Sequence, residues 1–360
     1  MPIPLFDAHL DLAWNAVSFN RDLTLDVETL RRQEQHMDDE PSRGKCTTSL
    51  PELKRAGVFC CVATLLVRGG PNQVWPTSFK RTDLNHATPS IAHAAAHGQL
   101  AYYRLLEAQG HLRFVTTQEM LLQEAPADWM ARTPGIVLSM EGADPITHPD
   151  ELQLWWDAGL RALGPVHYGQ GQYAFGTGVV GPFNKRGLAL LREMDRLGMI
   201  LDVTHLCDES MAQAFDHFDG AILASHHNCR TLVPGDRQLT DAQIKTLVSR
   251  GAVIGAALDA WMLYPGWERG VTQPDVVGLA AVADHIDHVC QLAGSAAQAA
   301  IGSDLDGGFG FEQTPHDLKT IADLQKLAPI LSARGYSDEE IAGIFYGNWM
   351  RFFAQGLPAG

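Results

Sequence analysis

Pro4-Leu5-Phe6-Asp7-Ala8-His9-Leu10-Asp11 opens the chain as a short apolar strand that runs into an imidazole and a carboxylate. Side chains two apart on a strand share a face, so His9 and Asp11 stand side by side at the strand's end. Such a pair can grip a divalent cation. A first strand ending this way makes the ends of the later strands the place to look for further ligands.

Short apolar runs recur at residues 58–66, 135–140, 160–163, 200–203, 221–224, 252–257 and 299–301. With 4–8 they make eight strand candidates, and helical patterns fill the gaps. The clearest helix is 184–197, where Leu188, Leu191, Met194 and Leu197 form a stripe of helical period. Residues 88–109, 240–250, 274–292 and 337–353 complete the helical set. This alternation predicts an α/β fold of the (β/α)8 or TIM-barrel type. We read residues 1–360 as one barrel domain, because no repeat, low-complexity tract or linker marks a boundary. A doubly wound sheet with a second domain is the competing reading. Four long βα connections, 12–49, 68–87, 167–183 and 259–272, fall on the C-terminal face of a barrel, where active sites form. They are rich in Gly, Pro, Trp and Tyr, which suits pocket walls. The glycines between 169 and 181 do not fit a phosphate-binding loop.

Composition bounds the function. A chain of 360 residues, 46% apolar and 19% charged, is an ordinary globular protein. A formal net charge of −15 argues against a nucleic-acid partner. It leaves room for an anionic substrate, since one local arginine outweighs a distant acidic surface. No stretch approaches 18 apolar residues, so no membrane span is expected. Met1 to Asp11 lacks the basic start of a secretory signal, and the expectation is a cytoplasmic protein. Cys46, Cys60, Cys61, Cys207, Cys229 and Cys290 show no C-x-x-C spacing and read as buried free thiols.

Polar residues gather at the strand ends. Besides His9 and Asp11 these are Glu141, His167, His205, His226 and Asp304. A lone histidine is usually a core or surface residue, but recurrence at one topological location is not ordinary chance. Six ligands, His167 apart, exceed one tetrahedral zinc. They suit two metals sharing a carboxylate and a water acidified to a hydroxide nucleophile. The residues divide naturally into His9, Asp11 and Asp304 on one metal and His205 and His226 on the other, bridged by Glu141.

These motifs carry a resemblance. Asp7-Ala8-His9-Leu10-Asp11, Met140-Glu141-Gly142, Asp202-Val203-Thr204-His205, Ser225-His226-His227-Asn228 and Gly302-Ser303-Asp304-Leu305-Asp306-Gly307 resemble, in order and spacing, the renal (membrane) dipeptidase family of the amidohydrolase superfamily. So does the closing Tyr346-Gly347-Asn348-Trp349-Met350-Arg351-Phe352. The resemblance implies a zinc-dependent (β/α)8 barrel that hydrolyses dipeptides, with two Zn2+ held by His9, Asp11, Glu141, His205 and His226. It makes Asp304 the catalytic acid/base rather than a sixth ligand. His167 resembles the histidine that binds the substrate carbonyl oxygen, and Arg237 the arginine that clamps the substrate carboxylate, with Arg230 as competitor. His227 reads as a supporting residue, and Asp306 is weighed for a direct role. Homodimerisation follows by analogy alone. The stretch 165–173 departs from the family's Thr-His-x-x-x-Asn pattern, which leaves substrate preference open. The mammalian members' secretion signal, disulfides and lipid anchor are not expected here. The rival functions are a related amidohydrolase acting on N-acyl amino acids or another small amide or ester, a non-catalytic metal- or peptide-binding barrel, and a purely structural metal set.

Overall fold

A computed structural model describes residues 2–69, 84–123 and 132–360. Residues 70–83, most of the predicted 68–87 connection, lie outside the described residues. All eight expected stretches carry a strand: β1 Leu5–Leu10, β2 Val58–Leu66, β3 Gly135–Glu141, β4 Leu160–Gly164, β5 Ile200–Asp202, β6 Ile222–Leu223, β7 Ile254–Ala256 and β8 Ala299–Ile301. A two-residue strand, Arg113–Phe114, also pairs with β3.

The strands pair in parallel in chain order from β1 to β6, and β7 pairs with β8. Hydrogen-bonded contacts join the two sheets. Ala224 bridges Ile254 between β6 and β7. Between β8 and β1, the Ser303 N–H donates to Asp7 Oδ1 at 2.8 Å and the Asp304 N–H to His9 O at 3.2 Å. The result is a (β/α)8 barrel.

Period-two alternation sorts each strand into an inner and an outer face. Phe6, Ala8, Cys60, Val62, Val137, Ala162, Ile200, Leu223, Val253 and Ala300 pack together in the interior. The C-terminal helix Asn348–Gly356 plugs this interior from below. There Phe353 stacks on Phe6 at 5.2 Å and Trp349 Nε1 donates to Ile301 O at 2.9 Å. Each such buried side chain contributes roughly 1.5–3 kcal/mol. The layer above is built small, because a Cβ on Gly255 or Gly302 would meet the Ser225 carbonyl oxygen at 1.9 or 1.7 Å.

The helices follow the sequence with three revisions. The 12–49 connection contains two helices, Leu12–Phe19 and Val27–Glu34. The 274–292 pattern starts as a separate turn at Pro274–Val276, and its helix proper is Leu279–Ala293. The 337–353 pattern is interrupted by a wide π turn at Gly343–Gly347. Asp208–His217 and Leu327–Ala333 are further helices, outside the five predicted segments. All six cysteines are free and buried. Among the described residues no helix is long and apolar enough to cross a membrane.

Asp306 is a structural anchor. Its carboxylate accepts from the N–H and hydroxyl of both Thr47 and Thr48 at 2.7–3.0 Å, and Arg21 Nη1 lies 4.0 Å away. It thereby pins the 12–49 connection to the end of β8. Replacing it leaves several buried donors unpaired, so Asp306→Ala should lose about 3–5 kcal/mol of stability. Urea or thermal melting checks this, and an unchanged midpoint would refute the anchor.

Candidate metal centre

The C-terminal ends of the strands bring the predicted side chains to one point. β1 has an irregular register between Asp7 and Leu10. Ala8 faces the interior and Leu10 packs on the outer core, so this irregularity is what frees His9 and Asp11 to reach the inner cluster. Alternation along β3 carries Val137 and then Glu141 inward. His205 and Asp304 adopt the left-handed backbone at φ 69° and 57°, as does Asp306 at 65°. Such conformations cost a non-glycine residue roughly 1–2 kcal/mol and persist where surrounding structure enforces them.

Glu141 stands at the centre. Its Oε2 lies 3.3 Å from His9 Nε2, and its Oε1 lies 3.1 Å from His205 Nε2 and 3.5 Å from His226 Nε2. The two histidine nitrogens on the Oε1 side are 3.3 Å apart. Asp11 Oδ1 is 3.6 Å from His9 Nε2 on the other side. Asp304 stands further back, with Oδ1 3.9 Å from His9 Nε2 and Oδ2 3.9 Å from His226 Nε2. Gly307 makes room for it, since a Cβ there would sit 1.9 Å from Asp304 Oδ1. His167 Nε2 is 3.9 Å from Glu141 Oε1, and its ring lies 4.2 Å from that of His205.

The electrostatics suit a cation. Burial pushes the Glu141 and Asp304 carboxyls up, towards the neutral form. Burial, reinforced by Arg237 and neighbouring histidines, holds His205 and His226 well below the usual imidazole range. Burial would lower His9 too, but the Glu141 and Asp11 carboxylates override it and raise His9 well above that range. His9 Nε2 and Glu141 Oε1 are buried with no hydrogen-bond partner. Buried lone pairs crowded this closely, without donors of their own, are the chemistry of a metal site. The donor set therefore fits metal binding: His9, Glu141 and His226, then Glu141, His167 and His205, then His9, Asp11 and Asp304 each bring ligand atoms close enough to share an ion.

Hydroxyls invisible to the sequence reading support the imidazoles. Ser225 Oγ lies 2.9 Å from His226 Nδ1 and 3.4 Å from His9 Nδ1, and Thr177 Oγ1 lies 3.1 Å from His205 Nδ1. Contacts at Nδ1 leave each Nε2 to face the cluster. Thr64 Oγ1 donates to Asp11 Oδ1. Ser225 precedes His226 and could have been noticed; nothing local marks Thr177 or Thr64.

The cavity over this cluster is about 90 Å³. Trp14, Leu66 and Leu84 line it on the β2 side, and Tyr168, Asp259, Trp261 and Met262 are further walls the sequence reading did not name individually. Asp259 accepts from Trp261 Nε1 at 2.6 Å and from Gln313 Nε2 at 2.9 Å, and burial raises its carboxyl to about 7. A wider groove of about 460 Å³ lies between residues 295–297 and 339–351, near the start of β8 and away from the cluster. Of the two arginines, Arg230 is committed to Asp208 through two 2.8 Å bonds. Arg237 is buried on the cavity wall, with Nη2 donating to His226 O at 3.0 Å and Nη1 unpartnered. His227 is buried outside the ligand clusters, and its backbone N–H donates to Gly255 O at 2.7 Å.

Comparison with known proteins agrees. Residues 1–356 match the family model for membrane dipeptidase, peptidase family M19. A dipeptidase crystal structure assigned to family M19 superposes with a TM-score of 0.77 at 22% identity, covering 100% of both chains. A metallopeptidase from Rhodobacter sphaeroides, liganded with a phosphinate mimic of L-Ala-D-Ala, gives 0.75 at 22% identity, covering 98% of this chain and 99% of that one. By sequence, the dipeptidase aclJ of Aspergillus oryzae is 26% identical over 227 residues, 61% of this chain and 51% of its own length. Mouse dipeptidase 3 is 28% identical over 170 residues, 47% of this chain and 32% of its own. The match thus spans about half or less of those two relatives. The chain belongs to the membrane dipeptidase family, peptidase family M19, a family of hydrolases.

Proposed function

We propose that the protein is a zinc-dependent dipeptidase that cleaves the amide bond of a dipeptide, L-Xaa-L-Xaa or L-Xaa-D-Xaa. The observation that carries this reading is Glu141, whose two oxygens face separate donor sets 3.1–3.5 Å away. Zinc bound there would supply Lewis acidity towards the carbonyl and acidify a water to near-neutral pKa. His9, Asp11, Glu141, His205 and His226 are the residues that would hold it.

The remaining side chains handle the substrate. Arg237 offers the free edge of a buried guanidinium, a shape matched to the substrate's terminal carboxylate. His167 is held neutral by burial, then by Arg68 and Arg237, so it serves as an uncharged donor to the carbonyl oxygen. Asp304 is the most exposed carboxylate of the cluster and stands back from the imidazoles, which suits it to receive a proton from the attacking water and return it to the leaving amine. A cavity of about 90 Å³ favours one amide with short flanks over a long peptide.

A panel of dipeptides set against N-acyl amino acids, assayed on zinc-replete enzyme, tests the reading. Dipeptide turnover is expected, and exclusive turnover of N-acyl amino acids would replace it with the related amidohydrolase. Arg237→Leu should raise KM for dipeptides by about ten- to a hundredfold, the worth of a hydrogen-bonded charge. A KM within twofold of wild type would remove Arg237 from carboxylate binding.

A further inference from the structure

A second arginine stands on the opposite side of the barrel from Arg237. Along β2 the inward side chains alternate: Cys60 and Val62 in the interior, Thr64 on Asp11, then Leu66 on the cavity wall. Arg68 is the next residue in that series, one level above Leu66 at the mouth. Its N–H donates at 2.9 Å to the carbonyl of Leu84, itself a cavity-lining residue. The Arg68 Nε is buried and has no hydrogen-bond partner. Its guanidinium lies in the field of Asp144, Glu141 and Tyr168. An arginine donor buried without a partner is costly to maintain, and a ligand anion would satisfy it.

Topology says which part of a substrate would meet it. Arg237 follows β6 and Arg68 follows β2, and strands two and six of eight lie across the barrel from each other. A dipeptide spans roughly 7 Å. With its terminal carboxylate on Arg237, its N-terminal residue points to the β2 wall of Trp14, Leu66 and Leu84. We propose that Arg68 forms an anion-binding subsite for the side chain of the N-terminal residue, and that the preferred substrates are dipeptides beginning with Asp or Glu. This rests on the dipeptide reading above and narrows its substrate class. It also reconciles an acidic protein with an anionic substrate, because the two cations flank the place where the substrate lies.

Isosteric pairs test the subsite. On zinc-replete wild type, kcat/KM for L-Asp-D-Ala should exceed that for L-Asn-D-Ala by about ten- to a hundredfold. In Arg68→Gln the ratio should fall to near one, and Arg68→Lys should keep part of it. Turnover of L-Ala-D-Ala with a wild-type Asp-to-Asn ratio near one would overturn the subsite and leave the dipeptidase reading standing. A ratio unchanged in Arg68→Gln, with both rates lowered together, would make Arg68 structural and overturn it equally. Failure of every dipeptide, neutral and acidic, would overturn both readings. Should Arg68→Gln fail to fold, the wild-type ratio and Arg68→Lys still decide.

Discussion

Asp304→Asn is expected to keep its metal and lose kcat by about two to four orders of magnitude, the usual worth of a positioned acid/base. The substitution preserves volume, so the left-handed backbone at residue 304 and the close approach of Gly307 are undisturbed. The carboxylate oxygens lie 3.9 Å from His9 and His226, whereas those of Glu141 lie 3.1–3.5 Å from the imidazoles. Loss of the Asp304 charge should therefore disturb proton transfer far more than metal retention. Steady-state kinetics with elemental analysis of the same sample separates the two effects. Near-wild-type turnover would remove Asp304 from the reaction, and loss of zinc would return it to the ligand set.

Glu141→Ala is expected to release both metals together and to leave less than about one-thousandth of the activity. Asp304 also reaches both donor sets, but only from 3.9 Å. His9, on one side, owes its raised pKa first among the attractive charges to Glu141. His205 and His226, on the other, would be left with no carboxylate as near as 3.5 Å. Metal content after dialysis is the direct readout. Retention of one full equivalent would show that the halves are independent, and the shared-carboxylate arrangement would fail. The barrel should still melt cooperatively, because its interior is held by apolar layers and the Trp349–Phe353 plug rather than by the cluster.

Much of this was legible in the chain, for identifiable reasons. Strands of a parallel barrel are buried on both faces, so they read as plain apolar runs wherever they occur. A polar residue at a strand's end is marked by its position directly after such a run, which is how His9, Asp11, Glu141, His205, His226 and Asp304 could be named together as candidates. Helices inside a long connection, such as Leu12–Phe19, lack those brackets and were hidden. Spacing alone separates Arg230 from Arg237 poorly, because the ion pair that holds Arg230 is made with Asp208, 22 residues earlier.

The barrel, the family resemblance and the candidate site residues could be read along the chain. All of these rest on local order: an apolar run, a polar residue after it, and the repetition of that unit. Which atoms meet is set by how the strands pack against one another. The irregular register of β1 is a property of its pairing with β2, and no residue announces it. The hydroxyls of Thr64, Thr177 and Ser225 reach Asp11, His205 and His226 across gaps of 53, 28 and one residue. Arg68 and Arg237, which follow strands two and six, come to opposite sides of the ring because the sheet closes on itself. Distances of 3–4 Å between residues hundreds apart in sequence are set by packing around the whole ring, and that packing is what turns scattered polar residues into one buried cluster.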